Sequence, residues 1–324
     1  MSKIKKTSCI LLIVVFIFSI KWTFNPNNQQ VNSSNQNEKK QNVCLIKLEI
    51  SIEKTSFLEG ESIWLTVKFK NMGTKKDSLK NLNEHEILSS IILKDNSGKV
   101  ANFKGLSTYL LRDRYYLLQP NESVEFNLEL TYSYGTEKEK LPENKVAFAK
   151  PYFFPPGNYN VKIEVSDEDR NLEISSNEIV FSVKEPENID FEALTELRKI
   201  YGMYDVTDNE KEQKIQAYKT FLEKYSKSRY FEQTFNQWVV TKGLSGVAYS
   251  IDIADDIMEF LNQSPNSMYT HSLMWYLADV TTKFAGGKGK AIELLKTLKK
   301  DYPNTRINSA ASKILKSDRF GEEE

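Results

Sequence analysis

Between residues 44 and 184 apolar side chains recur at every second position. Ile46, Leu48, Ile50 and Ile52 alternate with Lys47, Glu49 and Ser51, and Ile63, Leu65, Val67 and Phe69 alternate with Trp64, Thr66 and Lys68. The same pattern runs through Val124, Phe126, Leu128 and Leu130, through Tyr159, Val161, Ile163 and Val165, and through Ile179, Phe181 and Val183. Successive side chains of a strand point to opposite faces, so each run predicts a strand with one buried face. Weaker runs at Ile91–Lys94 and Tyr115–Leu118 bring the expectation to about seven strands. Turn signals separate them: Glu59-Gly60-Glu61, Asn71-Met72-Gly73, Asp95-Asn96-Ser97-Gly98, Gln119-Pro120-Asn121 and Pro155-Pro156-Gly157-Asn158. Each contains a residue that tolerates positive φ or presets a turn. An antiparallel sandwich over residues 44–186 is the packing expected of such strands. Residues 75–88 and 132–150 lack the pattern and are expected to be long loops.

After Lys184-Glu185-Pro186-Glu187-Asn188, which reads as a linker, the period changes to 3.6. Asp190 is the expected N-cap, and Phe191, Leu194, Leu197 and Tyr201 fall on one helical face. Three stretches beginning at Phe221, Phe260 and Leu298 are variants of one pattern, spaced 39 and then 38 residues apart. Aligned, they give first-helix columns Ile215/Ala254/Ile292, Tyr218/Ile257/Leu295 and Phe221/Phe260/Leu298. The second-helix columns are Tyr230/Tyr269/Ile307, Thr234/Leu273/Ala311 and Trp238/Leu277/Leu315. Breaks fall at Tyr225-Ser226, Ser264-Pro265 and Tyr302-Pro303, followed by Ser228, Ser267 and Thr305 as expected N-caps. The helical region 187–324 is thus expected to hold hairpin units near 210–240, 249–282 and 287–316, with the glycines at 243–246 and 286–289 as turns between helices. A repeated helix-sized unit builds a stacked surface.

The segments FLEGESIWLTVKFKNMG, LQPNESVEFNLEL, FFPPGNYNVKIEV and SNEIVFSV resemble bacterial immunoglobulin-like domains, including those of the BsuPI-type proteinase inhibitor family. That resemblance implies an all-β immunoglobulin-like sandwich and is weak for function, because such sandwiches host many roles. KAIELLKTLKKDYPNTRINSAASKIL resembles a tetratricopeptide-type hairpin of the kind found in lipoproteins of outer-membrane barrel assembly. It implies an all-α helical-hairpin repeat domain that binds protein. The period is longer than the family's, and the Trp-x-x-Leu-Gly pattern is absent.

The N-terminus is different in kind. Lys3, Lys5 and Lys6 precede an apolar run from Cys9 to Ile20 that Lys21 ends, the order of a secretory signal. Residues 1–24 are expected to be a signal peptide or an uncleaved inner-membrane anchor over residues 9–24. Residues 25–43 are almost wholly Asn, Gln, Ser and Lys and are expected to form a polar tether. The chain would be exported to the periplasm or cell envelope, touching membrane only through this segment. Cys9 and Cys44 are the only cysteines, so no disulfide framework is expected, and Cys44 reads as a small core residue.

Charge and motifs narrow the function classes. With 44 basic and 44 acidic side chains, no basic excess favours nucleic acid. Of the two histidines, His85 sits in Glu84-His85-Glu86, expected in a polar loop, and His271 is expected to face solvent. Neither has zinc-ligand spacing. Gly243-Leu244-Ser245-Gly246-Val247 misses the nucleophile-elbow pattern, and Gly286-Gly287-Lys288-Gly289-Lys290 misses the phosphate-loop pattern. Asp255 and Asp256 are adjacent on a helix and diverge. No catalytic, cofactor or metal residues are assigned. Tyr225, Tyr230 and Phe231, within an aromatic cluster that includes Phe235 and Trp238, either pack in the core or line a peptide groove. The core is favoured, since aromatics at helical spacing bury their large area. Tyr201 and Tyr204 stand near the domain junction as surface contacts. The expectation is a non-enzymatic binding or scaffold protein whose helices engage a protein partner, with the sandwich as spacer or adhesive module. The alternatives are a proteinase inhibitor acting through the sandwich and a hydrolase whose site is assembled from scattered residues.

Overall fold

The structure, a computed structural model, describes residues 45–79, 84–103, 116–131, 134–135, 153–167, 172–203, 207–244, 251–282, 287–302, 311–312 and 314–316. These show an N-terminal β-rich region followed by a C-terminal α-helical region, both within one compact unit that spans residues 43–324. Cys44 and Tyr204 lie outside the described residues.

The period-two runs form strands, and their apolar sets turn inward. Strand β1 (Ile46–Ile52) is followed by the short β2 (Ser56–Leu58) and by β3 (Trp64–Asn71), then β4 (Asp77–Leu79). Helix α1 (Glu84–Ser89), β5 (Ile91–Asp95), β6 (Asn102–Phe103) and β7 (Tyr116–Leu118) precede β8 (Ser123–Glu129). Strands β9 (Tyr134–Gly135), β10 (Gly157–Asp167), β11 (Leu172–Ser175) and β12 (Ile179–Lys184) complete the region. The stretch 75–88 is therefore not one long loop: it carries β4, paired with β7, and the start of α1. Glu84-His85-Glu86 opens that helix.

Of the two larger sheets one has the order β1-β3-β8, all antiparallel, and the other β11-β10-β12-β2, with β5 on the far edge of β10; β4 pairs with β7 and β6 with β9 as two-stranded sheets. Buried side chains of both sheets, among them Leu65, Val67, Phe126, Val161 and Phe181, form a single core. Each large apolar side chain buried there contributes about 1.5–3 kcal/mol. Two strands are continuous across breaks. Strand β1 leads into β2, which runs parallel to β12, so one chain segment crosses from the first sheet to the second at residues 53–55. Strands β11 and β12 both pair with β10, but the two steps from Val161 to Ile163 face the three steps from Ile179 to Ser176. That extra residue is a β-bulge, which re-aims its side chains. Asn177 sits in it.

The helices are α2 (Asn188–Gly202), α3 (Asp208–Lys224), α4 (Phe231–Leu244), α5 (Ile251–Gln263), α6 (Thr270–Thr281) and α7 (Gly287–Asp301). Thr207 caps α3 in a reciprocal box with Glu210. The breaks lie where the sequence puts them, after Lys224, Gln263 and Asp301. Tyr218, Ile257 and Leu295 are buried, as are Phe221, Phe260 and Leu298, and Trp238, Leu277 and Leu315. In the first column Ile215 and Ala254 are buried as expected, whereas in the third unit Ala291 is buried and Ile292 only partly so.

Other local expectations are corrected. Asp190 is in the first turn of α2 rather than at its N-cap, and its Oδ1 accepts the Arg229 N–H at 2.8 Å. It thus serves a donor just before α4. Ser228 and Ser267 stand three residues ahead of their helices, where their carbonyls accept the N–H of Phe231 and Thr270. Phe191 is exposed, and Ala193 and Ile200 complete the buried face of α2 instead. Gly287 and Gly289 belong to the first turn of α7. No helix among the described residues is long and apolar enough to cross a membrane.

Candidate functional site

Those of the aromatic residues singled out by sequence that are described, Tyr201, Tyr225, Tyr230 and Phe231, are structural supports. Tyr201, Tyr225 and Tyr230 are 7, 4 and 0% exposed. Tyr201 packs against Phe153 of the β region and Tyr218 of α3, and Tyr225 packs on Phe221. Phe231 is half-buried against Phe235 and Phe260, and the latter two rings stack at 4.4 Å. These side chains belong to the helical core or pack against it.

What they help to build is a junction. Gly60 adopts φ +83°, and a Cβ there would lie 2.4 Å from Leu194 Cδ1 of α2. The turn Glu59-Gly60-Glu61 therefore presses its backbone directly onto the helices. Tyr230 donates its hydroxyl proton to the Glu59 carbonyl at 2.6 Å. Gln233 of α4 donates Nε2–H to the Gly60 carbonyl and accepts the Ser62 N–H on Oε1, both at 2.8 Å. Glu61, 8% exposed, accepts the Leu58 N–H at 2.8 Å and is paired with Lys54 and with Arg229. Arg198 of α2 reaches Glu59 at 2.5 Å. Leu58, Trp64 and Phe153 of the β region pack against the helical core.

Beside this junction opens a cleft of about 520 Å³ between the β2–β3 turn, the start of α4 and the Ser264–Met268 turn. Glu53, Lys54, Arg229 and Glu232 give its wall mixed charge, and Ser267 donates its hydroxyl proton to Glu232 at 2.8 Å. Trp64 and Tyr269 close its inner end, their rings edge to face at 5.6 Å. Trp64 Nε1, Tyr269 Oη and Ser228 Oγ are sealed from solvent there, with no hydrogen bond of normal geometry among the described residues.

Behind Trp64 lies Glu129, its cross-strand neighbour on β8. The residue as a whole is half-buried, but Oε1 is closed off from solvent. Burial pushes this carboxyl up to about 7, against a smaller opposing pull from the Ser62 side chain. Burial also raises the Tyr269 phenol well above its ordinary value, with the nearby Glu129 charge adding to it. Burial and then the charges of Asp190, Glu61 and Glu59 raise Tyr230 in the same way. His271 does not face solvent: it sits between the rings of Trp64 and Tyr302, and burial lowers its pKa. Among the described residues no group of His, Cys, Asp or Glu is placed to hold a metal ion.

Sequence reasoning missed Gln233, Glu61 and Glu129. Glu129 carried a faint signal, since it lies opposite Trp64 on the face of two strands otherwise lined by Lys, Thr, Asn and Glu.

No family model and no curated protein matches the chain. Among solved structures the chain is similar to the crystal structure of Bacteroides uniformis beta-glucuronidase, at 14% identity over 42% of this chain and a TM-score of 0.22. That match spans 13% of the other chain.

Proposed function

We propose that the protein is a non-enzymatic binding or scaffold protein, exported or membrane-tethered, whose helical repeats engage a protein partner. The β region is taken as an immunoglobulin-like sandwich and the helices as tetratricopeptide-like hairpins. One observation carries the reading: the helices share their core with Leu58, Trp64 and Phe153 and are hydrogen-bonded to the β2–β3 turn. A helical array held this way meets a partner already ordered, which removes much of the entropic cost of association. The β region then acts as a buttress for the array rather than as a separate spacer. Capture from envelope extract with the full chain tests this. A discrete partner retained by the wild type, and lost when exposed Asp255 and Asp256 of α5 or Lys296 and Lys299 of α7 are reversed in charge, supports it. Repeated failure with folded protein sinks it.

A second reading, hydrolysis near the junction, is favoured by Glu129 alone, which lies behind Trp64 and outside the lining of the cleft. A carboxyl that holds its proton near neutrality is suited to general acid work. Turnover of glycoside or ester substrates that vanishes in Glu129→Gln would support this reading. Activity unchanged in that variant would remove it.

A further inference from the structure

Two strand edges stand open beside one another, that of β1 in the first sheet and that of β11 in the second. Near them β2 and β12 are joined as a parallel ladder, with Ser182 N–H donating to the Thr55 carbonyl and Glu59 N–H to the Lys184 carbonyl, both at 2.9 Å. One step back, a side chain carries the ladder. Asn177 Oδ1 accepts the Ile50 N–H at 2.9 Å, and its Nδ2 donates to the Ile50 carbonyl at 3.0 Å. A carboxamide that does both imitates one residue of a paired strand.

Beyond Asn177 nothing among the described residues continues the pairing. The Leu45 carbonyl accepts the Met72 N–H at 2.8 Å, so the odd-numbered residues of β1 exchange bonds with β3. By the period of two, Ile46 and Leu48 turn their N–H and C=O groups away from β3, as Ile50 does. Across the gap, Ser176 N–H donates to the Ile163 carbonyl at 2.9 Å, so Glu173 and Ser175 of β11 turn theirs away from β10. Between the two edges lies a groove of about 1130 Å³.

We infer that this groove takes an extended segment of another polypeptide, which adds to β1 as a strand. Open backbone groups supply the affinity in such augmentation, and flanking side chains select the sequence. The flanks here are specific. Leu45 and Met72 are 47 and 51% exposed at one end of the groove. Lys47 and Glu49 are paired with each other at 2.5 Å, whereas Glu173 on the opposite wall is exposed and has no salt bridge among the described residues. The segment therefore carries, on its outward face, an aliphatic residue over Leu45 and Met72 and a lysine or arginine facing Glu173. An opposite-charge neighbour on adjacent strands is favourable. This surface is independent of what the helices hold.

The test titrates the full chain with a short synthetic peptide whose inner face is valine and whose outer face carries valine, threonine and lysine. A second peptide of the same sequence is N-methylated at the residues that would pair with β1. The expected result is saturable binding of the first peptide with amide exchange at Ile46 and Leu48 slowed at least about tenfold, and neither effect with the second. Glu173→Lys and, independently, Leu45→Asp each weaken binding by about fivefold or more while the thermal transition stays in place. The inference is overturned by no binding, by equal binding of the methylated peptide, or by unchanged exchange at saturation. It is also overturned if protection appears without peptide and grows with protein concentration, since a second copy then occupies the edge.

Discussion

Gln233 bridges the two regions through Gly60: its Nε2 donates to the Gly60 carbonyl at 2.8 Å while its Oε1 holds the Ser62 N–H at the same distance. One side chain of α4 thus satisfies two backbone groups of the β2–β3 turn. Gln233→Ala would leave both without partners, and a buried polar group so orphaned costs about 1–3 kcal/mol. Urea denaturation should show a loss of about 2–4 kcal/mol. A loss under about 0.5 kcal/mol would mean that the bridge contributes nothing.

Gly60 and Gly98 both have positive φ, +83° and +77°, but differ in what surrounds them. A methyl at Gly60 meets the buried Leu194, whereas none of the described residues lies within 4 Å of one at Gly98. Gly98→Ala should cost only the backbone term, about 1 kcal/mol. Gly60→Ala adds overpacking at the junction and should cost at least about 2 kcal/mol. Parallel thermal melts compare the two, and equal losses would contradict the contact.

Glu129 makes stability fall as pH rises. Its folded pKa, about 7, is above the ordinary value of 4.5, so between these two pH values the folded state holds a proton that the unfolded state has released. Stability is fully present below about 4.5, declines through that window and levels off above 7. The shift corresponds to roughly 3 kcal/mol. Glu129→Gln should flatten this part of the profile and be more stable than wild type at pH 8. A variant with the same slope would show that another group is responsible.

Asn177 is the stand-in for a strand. Asn177→Leu keeps approximate volume and loses both bonds to Ile50, and should speed Ile50 amide exchange with about 1–2 kcal/mol lost. Asn177→Asp keeps the acceptor and loses the donor, so Ile50 N–H should stay protected. Site-resolved exchange separates the two outcomes.

The strands were legible in the sequence because burial alternates locally. Ile63, Leu65, Val67 and Phe69 read as an inward face and are 1, 0, 0 and 0% exposed. The helical columns were legible for the same reason, apart from the third unit, where Ala291 rather than Ile292 is buried. The junction was not. Gln233 and Gly60 are 173 residues apart, and nothing in the local pattern of α4 marks one polar residue as the partner of a distant turn. Asp190 shows the same limit, because a residue suited to capping its own helix instead accepts a donor at the start of α4. The bulge at Asn177 is a one-residue register change that period two in β12 alone does not reveal.

The sheets and the helices are held together at the Glu59–Glu61 turn. Native-state hydrogen exchange in a denaturant series measures whether they open as one body, comparing amides of Leu65 and Val67 with those of Leu197 and Leu273. All four should open with the same free energy, and Gln233→Ala should lower them together. Helical amides that open at their own lower free energy, untouched by that substitution, would contradict it.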